Sequence, residues 1–257
     1  MTSPRPFILL ALALTLVAVS CGSSGETTTT AEATTTTTVA EATTSTTAAP
    51  PTGTDQAATT TTPTTTTTLA GTPIDFFPQP GDELSVVGVA HDDVLNVRVG
   101  PGIFNDIVDT LEPTDTTTAT GNARDLGSSI WVEHDTGDTV GWSNFVFLAF
   151  AGAADDATAE VVGLLGEVPT ADSMAALGRI VADSLASTDP RSRIVMTVEP
   201  TGDLTEVTYD VIGLGDDAVF GYRLRIFGEE VTDGFSLDTV ERTALCGRGV
   251  TADGLCV

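Results

Sequence analysis

Between Glu26 and Gly71 the chain is almost wholly Thr, Ala and Pro, with TTTT and TTTTT runs and no aromatic residue. A stretch with so little to bury cannot offset the entropy of ordering its backbone, so no core forms there. The foldable part of the 257 residues therefore lies beyond it. The tract reads as a stalk, and two versions stand open: a bare disordered spacer, or one carrying O-linked sugar on its threonines. As a flexible coil of roughly 50–60 residues its rms span is on the order of 40 Å, and fully extended it approaches ~200 Å. That reach carries the folded part away from a membrane and into or through a cell-wall layer.

Ahead of the stalk, Arg5 supplies one positive charge and Phe7 to Val19 is an apolar run. At about 13 residues this is the length of a secretion-signal core and too short for a mature membrane span. It ends in Ala18-Val19-Ser20-Cys21. Small residues before a cysteine resemble the bacterial lipobox, in which the signal is cut and the cysteine is lipidated. Ala18 stands where leucine is usual, and an ordinary signal peptide with a chance cysteine is the plainer alternative. Gly22-Ser23-Ser24-Gly25 follows as a flexible tether. The expected layout is a lipoprotein signal at 1–20, lipidation at Cys21, and a disordered linker over 21–80. The protein would then sit outside the cytoplasm, held on the outer face of the cell membrane by its lipid anchor.

Only Cys246 and Cys256 then remain. In a secreted chain, two cysteines this close read as one disulfide. A metal site needs about four ligands and no histidine lies near, so neither metal nor cofactor is expected. The formal net charge is −26, and every basic residue apart from two histidines is arginine. Such a surface repels polyanions, which excludes nucleic acid as a partner and disfavours anionic lipid headgroups and teichoic-type polymers. Screening confines that repulsion to roughly 8 Å at physiological salt.

Two folded segments are expected. In the first, 81–150, the stretch VLNVRVGPG (Val94 to Gly102) alternates: Leu95, Val97 and Val99 share one face, Asn96 and Arg98 the other. That is a half-buried strand running into a tight Gly-Pro-Gly turn. Leu84 to Ala90 precedes it, and DIVDTLEP, TTTATGN, SSIWVEHD and TVGWSNFVFL follow, each bounded by turn residues. Five or six short strands in about 70 residues predict a small all-β barrel. The order Leu95-Asn96-Val97-Arg98, Gly100-Pro101, Val108 to Leu111, Gly121, Trp131-Val132, Gly141-Trp142, Phe147-Leu148 resembles the bacterial SH3-like (SH3b) family. The resemblance covers Leu84 to Leu148. Val99, Ser143 and Phe147 depart from the family's usual small polar residue, valine and tyrosine. The resemblance implies a non-catalytic binding module of envelope proteins that contacts peptidoglycan or its peptides. A shallow aromatic-lined groove on a small barrel suits an extended peptide. Trp131, Trp142 and Phe147 are the candidate contacts, with Arg98 available for a ligand carboxylate. Alternatively the tryptophans are half core and Arg98 pairs with a neighbouring acid.

The second segment, 155–257, opens with an apolar stripe at helical spacing, Met174, Leu177, Val181 and Leu185, with Thr170 as a possible cap and Gly178 as a weak point. Period-two runs follow at Arg193 to Glu199, Leu204 to Ile212, Ala218 to Phe227 and Phe235 to Leu245. They predict one helix on a four-stranded antiparallel sheet, an α+β domain closed by the disulfide loop. AFAGAADDA between the segments reads as a small-residue junction. His91 and His134 read as turn residues of the barrel, and no nucleophile–base pattern occurs. The acid pairs Asp155-Asp156, Asp216-Asp217 and Glu229-Glu230 read as solvated turns. The expected function is non-catalytic: a lipid-anchored envelope protein that binds a cell-wall peptidoglycan or peptide ligand. Two alternatives stand beside it: a wall-active enzyme with a catalytic C-terminal half, and a structural subunit partnered with another envelope protein.

Overall fold

The computed structural model describes residues 68–202 and 204–257. The signal at 1–20, Cys21 and most of the Thr-rich linker lie outside them. In chain order the strands are β1 (Thr72–Ile74), β2 (Glu83–Val86), β3 (Leu95–Arg98), β4 (Ile107–Leu111), β5 (Thr116–Asp125), β6 (Ile130–Asp135) and β7 (Val140–Asn144). A 3-10 turn at Phe145–Phe147 leads into β8 (Leu148–Asp156) and helix α1 (Thr158–Leu165). Then come β9 (Thr170–Ala171), helix α2 (Met174–Leu185), β10 (Arg193–Val198), β11 (Glu206–Ile212), β12 (Val219–Val231) and β13 (Gly234–Cys246).

The expected small SH3-like barrel followed by a separate α+β domain is not what forms. All 13 strands join in one antiparallel sheet, ordered β10-β11-β12-β13-β8-β2-β5-β6-β7-β3-β4, with β1 added on β5 and β9 on β13. The path is open, with β10 and β4 at its ends. Continuity comes from β8. Its start pairs with β2 (Ser85 with Ala149, Val86 with Leu148), and its length pairs with β13 (Phe150 with Cys246, Asp156 with Glu241). The stretch expected as a junction is thus a strand. Its small residues are what let it lie there: a Cβ at Gly152 would stand 2.9 Å from Gly254 O and 3.1 Å from Ala244 O. Small, weakly apolar residues read as a loop in sequence; here they are the condition for close strand approach.

Strand structure also begins before Gly81. Thr72–Ile74 pairs with β5, Pro78 is buried, and Phe77 packs against the core below β2. Its ring stands edge-on to Phe145, 5.2 Å between centroids.

Three apolar clusters hold the sheet. The first lies among β2, β3, β5, β6 and β8 and includes Leu84, Val86, Val97, Val132 and Leu148. The second gathers Val161 of α1 and Leu177 and Val181 of α2 over Val207, Leu224, Ile226 and Val240. The helix stripe expected from sequence thus meets β11, β12 and β13. The N-cap is Ser173, whose Oγ accepts from Ala176 N at 3.2 Å. Thr170 is instead in β9, paired with Ser236. Helix α1 was not legible: it is 8 residues long, with one buried side chain, Val161. Between these clusters a small third one joins the halves, with Val87 and Ala149 against Ile212 and Leu245, all buried. Each large aliphatic side chain so buried stabilises the fold by roughly 1.5–3 kcal/mol.

The expected disulfide is present. Cys246, buried at the end of β13, bonds Cys256, with Cα atoms 5.1 Å apart and a sequence separation of 10. A loop this small removes about 2–3 kcal/mol of unfolded-state entropy. The tail it secures pairs back on the sheet, Ala153 N donating to Gly254 O at 2.7 Å.

Candidate functional site

The side chains of the two halves meet at the exit of β2. Gly88 has φ +63°, a left-handed conformation that favours glycine. Its N–H donates to Asp210 Oδ2 at 2.8 Å, and its carbonyl accepts from Arg193 Nη1 at 2.7 Å. Arg223 pairs with Asp210 at 2.9 Å and also donates to Val86 O at 2.6 Å. Asp210 is fully buried, so this pair and its extra hydrogen bonds fix the Val86–Gly88 backbone onto the second half.

Beside that clamp lies a cleft of about 510 Å³. One wall is Gly88 to Ala90; another is β3, through Leu95, Asn96 and Arg98; Trp131 and Phe147 close one side; Arg193 and Val195 of β10 supply the other. Alternation in β3 explains the geometry. Leu95 and Val97 are buried, while Asn96 and Arg98 alternate with them and are half-buried at the cleft. Arg98 Nη1 donates to Asn105 O at 2.7 Å. Asn105 in turn donates to Pro101 O and Gly102 O, which holds the Gly-Pro-Gly loop rigid. That loop carries Ile103 into the cleft lining and leaves its neighbour Phe104 97 % exposed.

Three of the four expected ligand contacts therefore share one cleft: Arg98, Trp131 and Phe147. Trp131 is 3 % exposed, and its indole N–H donates to Ser129 Oγ at 3.0 Å, so it offers the cleft only an edge. Phe147 is half-buried, and the Arg193 guanidinium stands 5.7 Å from its ring centroid. Trp142 is elsewhere. It is 2 % exposed and lines a separate cavity with Pro73, Ile74, Pro80, Asn122 and Arg124. Arg193 is the cleft residue that the sequence did not single out, because RIVMTV reads as an ordinary alternating strand.

Two arginines line the cleft, Arg98 and Arg193. Among the described residues, Arg179, Arg223, Arg225, Arg242 and Arg248 each pair with a carboxylate. Arg242 spans Asp155 and Glu160, and its hydrogen bonds hold the Asp155 carboxyl below its ordinary range. Arg98 and Arg193 pair with none, and neither do Arg124 and Arg191 outside the cleft, although the chain carries 36 acids against 10 arginines. One acid, Asp93, also lines the cleft, and its carboxylate accepts from Val94 N at 2.8 Å. Arg223 and Arg225, both in β12, divide: Arg225 lies between Glu206 and Glu241, and Arg223 is the clamp.

The histidines are not both turn residues. His91 is in the loop after β2, where its N–H donates to Met196 O at 3.0 Å and its ring lies 3.7 Å from Glu199. His134 is inside β6 and fully buried. Its Nδ1 lies 2.8 Å from Thr117 Oγ1 and its Nε2 2.9 Å from Ser143 Oγ. Burial pushes its pKa down to about 4, against weaker opposing pulls from Asp109, Glu133 and Asp135. Thr117 donates to Asp135 O at 2.7 Å, so it accepts from Nδ1–H; Ser143 then donates to Nε2, in preference to the longer 3.1 Å contact with Asn96 O. A serine beside a histidine is here a packed, solvent-free pair and has no route to a substrate. Among the described residues no three of His, Cys, Asp and Glu converge as metal ligands.

Comparison of the whole chain with protein-family models, with curated proteins and with solved structures finds no match.

Proposed function

We propose that this chain is a non-catalytic recognition protein of the bacterial envelope, lipid-anchored through Cys21, that binds a cell-wall peptide in the cleft between β3 and β10. One observation carries the reading. In a chain of net charge −26, two arginines without carboxylate partners line the same cleft, with Phe147 and Ile103 beside them. A concave site with apolar walls and a few convergent polar groups is the ordinary form of a ligand site. The signal-like N-terminus and the stalk support placing that site at the cell wall. The cleft needs both halves, since Arg193 and Val195 belong to β10. Binding is therefore tested with the full chain.

The test is co-sedimentation of the purified chain with isolated peptidoglycan. Retention is expected at low and at high salt, because an acidic protein gains nothing from non-specific attraction to an anionic wall. Absence from the pellet under both conditions overturns the reading. Release of soluble muropeptides would turn it into an enzyme. Co-purification with one envelope protein, without wall retention, would make it a structural partner.

A further inference from the structure

We infer that Arg98 and Arg193 together form a subsite for a carboxylate carried on a short extended peptide. The inference rests on the recognition reading and names the chemistry of its ligand. Each guanidinium has five N–H donors. Arg98 spends one on Asn105 O and Arg193 one on Gly88 O, and neither donates to any other acceptor among the described residues. Each head is thus held by one backbone carbonyl, and four of its five donors meet no acceptor among the described residues. Part of the ordering cost of binding is already met by the fold.

The sign and size of the ligand follow from the charges. Guanidinium groups bind carboxylate through paired, charge-assisted hydrogen bonds. The surrounding chain carries 36 acids, which repel any long polyanion approaching the cleft. A ligand with one charge at the right place is accepted; a polyphosphate or nucleic-acid strand is not. Leu95, Ile103 and Phe147 offer apolar surface for the side chain next to that carboxylate. β10 ends the sheet and borders the cleft through Arg193 and Val195, so an extended backbone can lie along it outside the contact that His91 N makes with Met196 O.

The experiment is a titration of the full chain, with arginine Nε–Hε signals followed by NMR and affinity measured by calorimetry. Three probes are used: a tetra-alanine peptide as the free acid, the same peptide as its C-terminal amide, and the amide with one glutamate substituted. The free acid should bind at least about tenfold more tightly than the amide, as loss of a charge-assisted contact predicts. The Arg98 and Arg193 signals should move with it. Tight binding by the glutamate amide also supports the subsite and places the carboxylate on a side chain. Arg98→Gln should remove the preference for the acid, and Arg98→Lys should restore part of it, in protein whose amide spectrum is otherwise unchanged. Equal affinity for all three probes, or arginine signals that do not move, overturns the subsite while leaving wall retention to stand. No binding of any of the three peptides by a chain that still sediments with peptidoglycan overturns it as well.

Discussion

At the scale of the residue, His134 decides how this protein meets acid. It is fully buried, and burial holds its pKa at about 4 against 6.5 in an unfolded chain. The unfolded state therefore binds the extra proton first as pH falls. The sign is fixed: stability is complete above pH 6.5, declines as the pH drops through the interval, and levels off for this group below about 4. The loss is about 3 kcal/mol at most, from the size of the shift. Urea denaturation at pH 7, 5.5 and 4.5 should show it, and His134→Gln should flatten the dependence while lowering stability at pH 7. A slope unchanged by that substitution would assign the acid sensitivity to other groups. Little of this was legible in the sequence. His134 is adjacent to Asp135-Thr136-Gly137, which reads as a turn, and only the pairing of β5 with β6 shows that it points inward beside Thr117. Arg98 was legible because alternation sets it opposite Leu95 and Val97. Arg193 was not, since its lack of an acidic partner is a fact of three-dimensional neighbourhood.

At the scale of the element, Gly178 shows local propensity and packing in conflict. In an exposed helix, glycine to alanine gains about 1 kcal/mol. In α2 a Cβ at this position would lie 2.6 Å from Val207 Cγ1 and 2.7 Å from Tyr209 Cε2. Both neighbours are held in β11, and Tyr209 is further fixed by its hydroxyl, which donates to Ala175 O at 2.9 Å. Gly178→Ala should therefore destabilise, by about 1–3 kcal/mol, as overpacking does. A stabilised variant in thermal denaturation would mean that α2 does not sit this close to the sheet. The same contrast explains which elements could be read in advance. Strands β10 to β13 and helix α2 have clear apolar periods, and the sequence positions them well. Strand β8 is mostly small residues, and helix α1 is only 8 residues long with one buried side chain, so neither shows a clear apolar period, and β8 takes its form from β13 lying alongside. Thr72–Ile74 has no apolar period either, and is a strand because β5 is long enough to pair with it.

At the scale of the whole molecule, the question is whether the sheet unfolds as one body. The chain itself supplies separate reporters: its two tryptophans, Trp131 and Trp142, are in β6 and β7, and its two tyrosines, Tyr209 and Tyr222, are in β11 and β12. Three features couple the halves. Strand β8 pairs on both sides, the cluster of Val87, Ala149, Ile212 and Leu245 is shared, and Asp210 with Arg223 grips Val86 and Gly88. Fluorotryptophan and fluorotyrosine signals should therefore report the same urea midpoint, as a two-state transition requires. Asp210→Ala sharpens the test. It leaves Arg223 without its carboxylate at a site where that arginine is only 13 % exposed, and breaking such a pair costs about 3–5 kcal/mol. Asp210 lies in the second half, yet the tryptophan transition in the first half should fall together with the tyrosine one. If the tyrosine midpoint alone moved, the halves would be independent bodies that merely touch. The cleft between them would then have no fixed width, and Arg98 and Arg193 could not act on one ligand group. Coincident transitions in both proteins are thus the mechanical condition for a site assembled from two ends of one sheet.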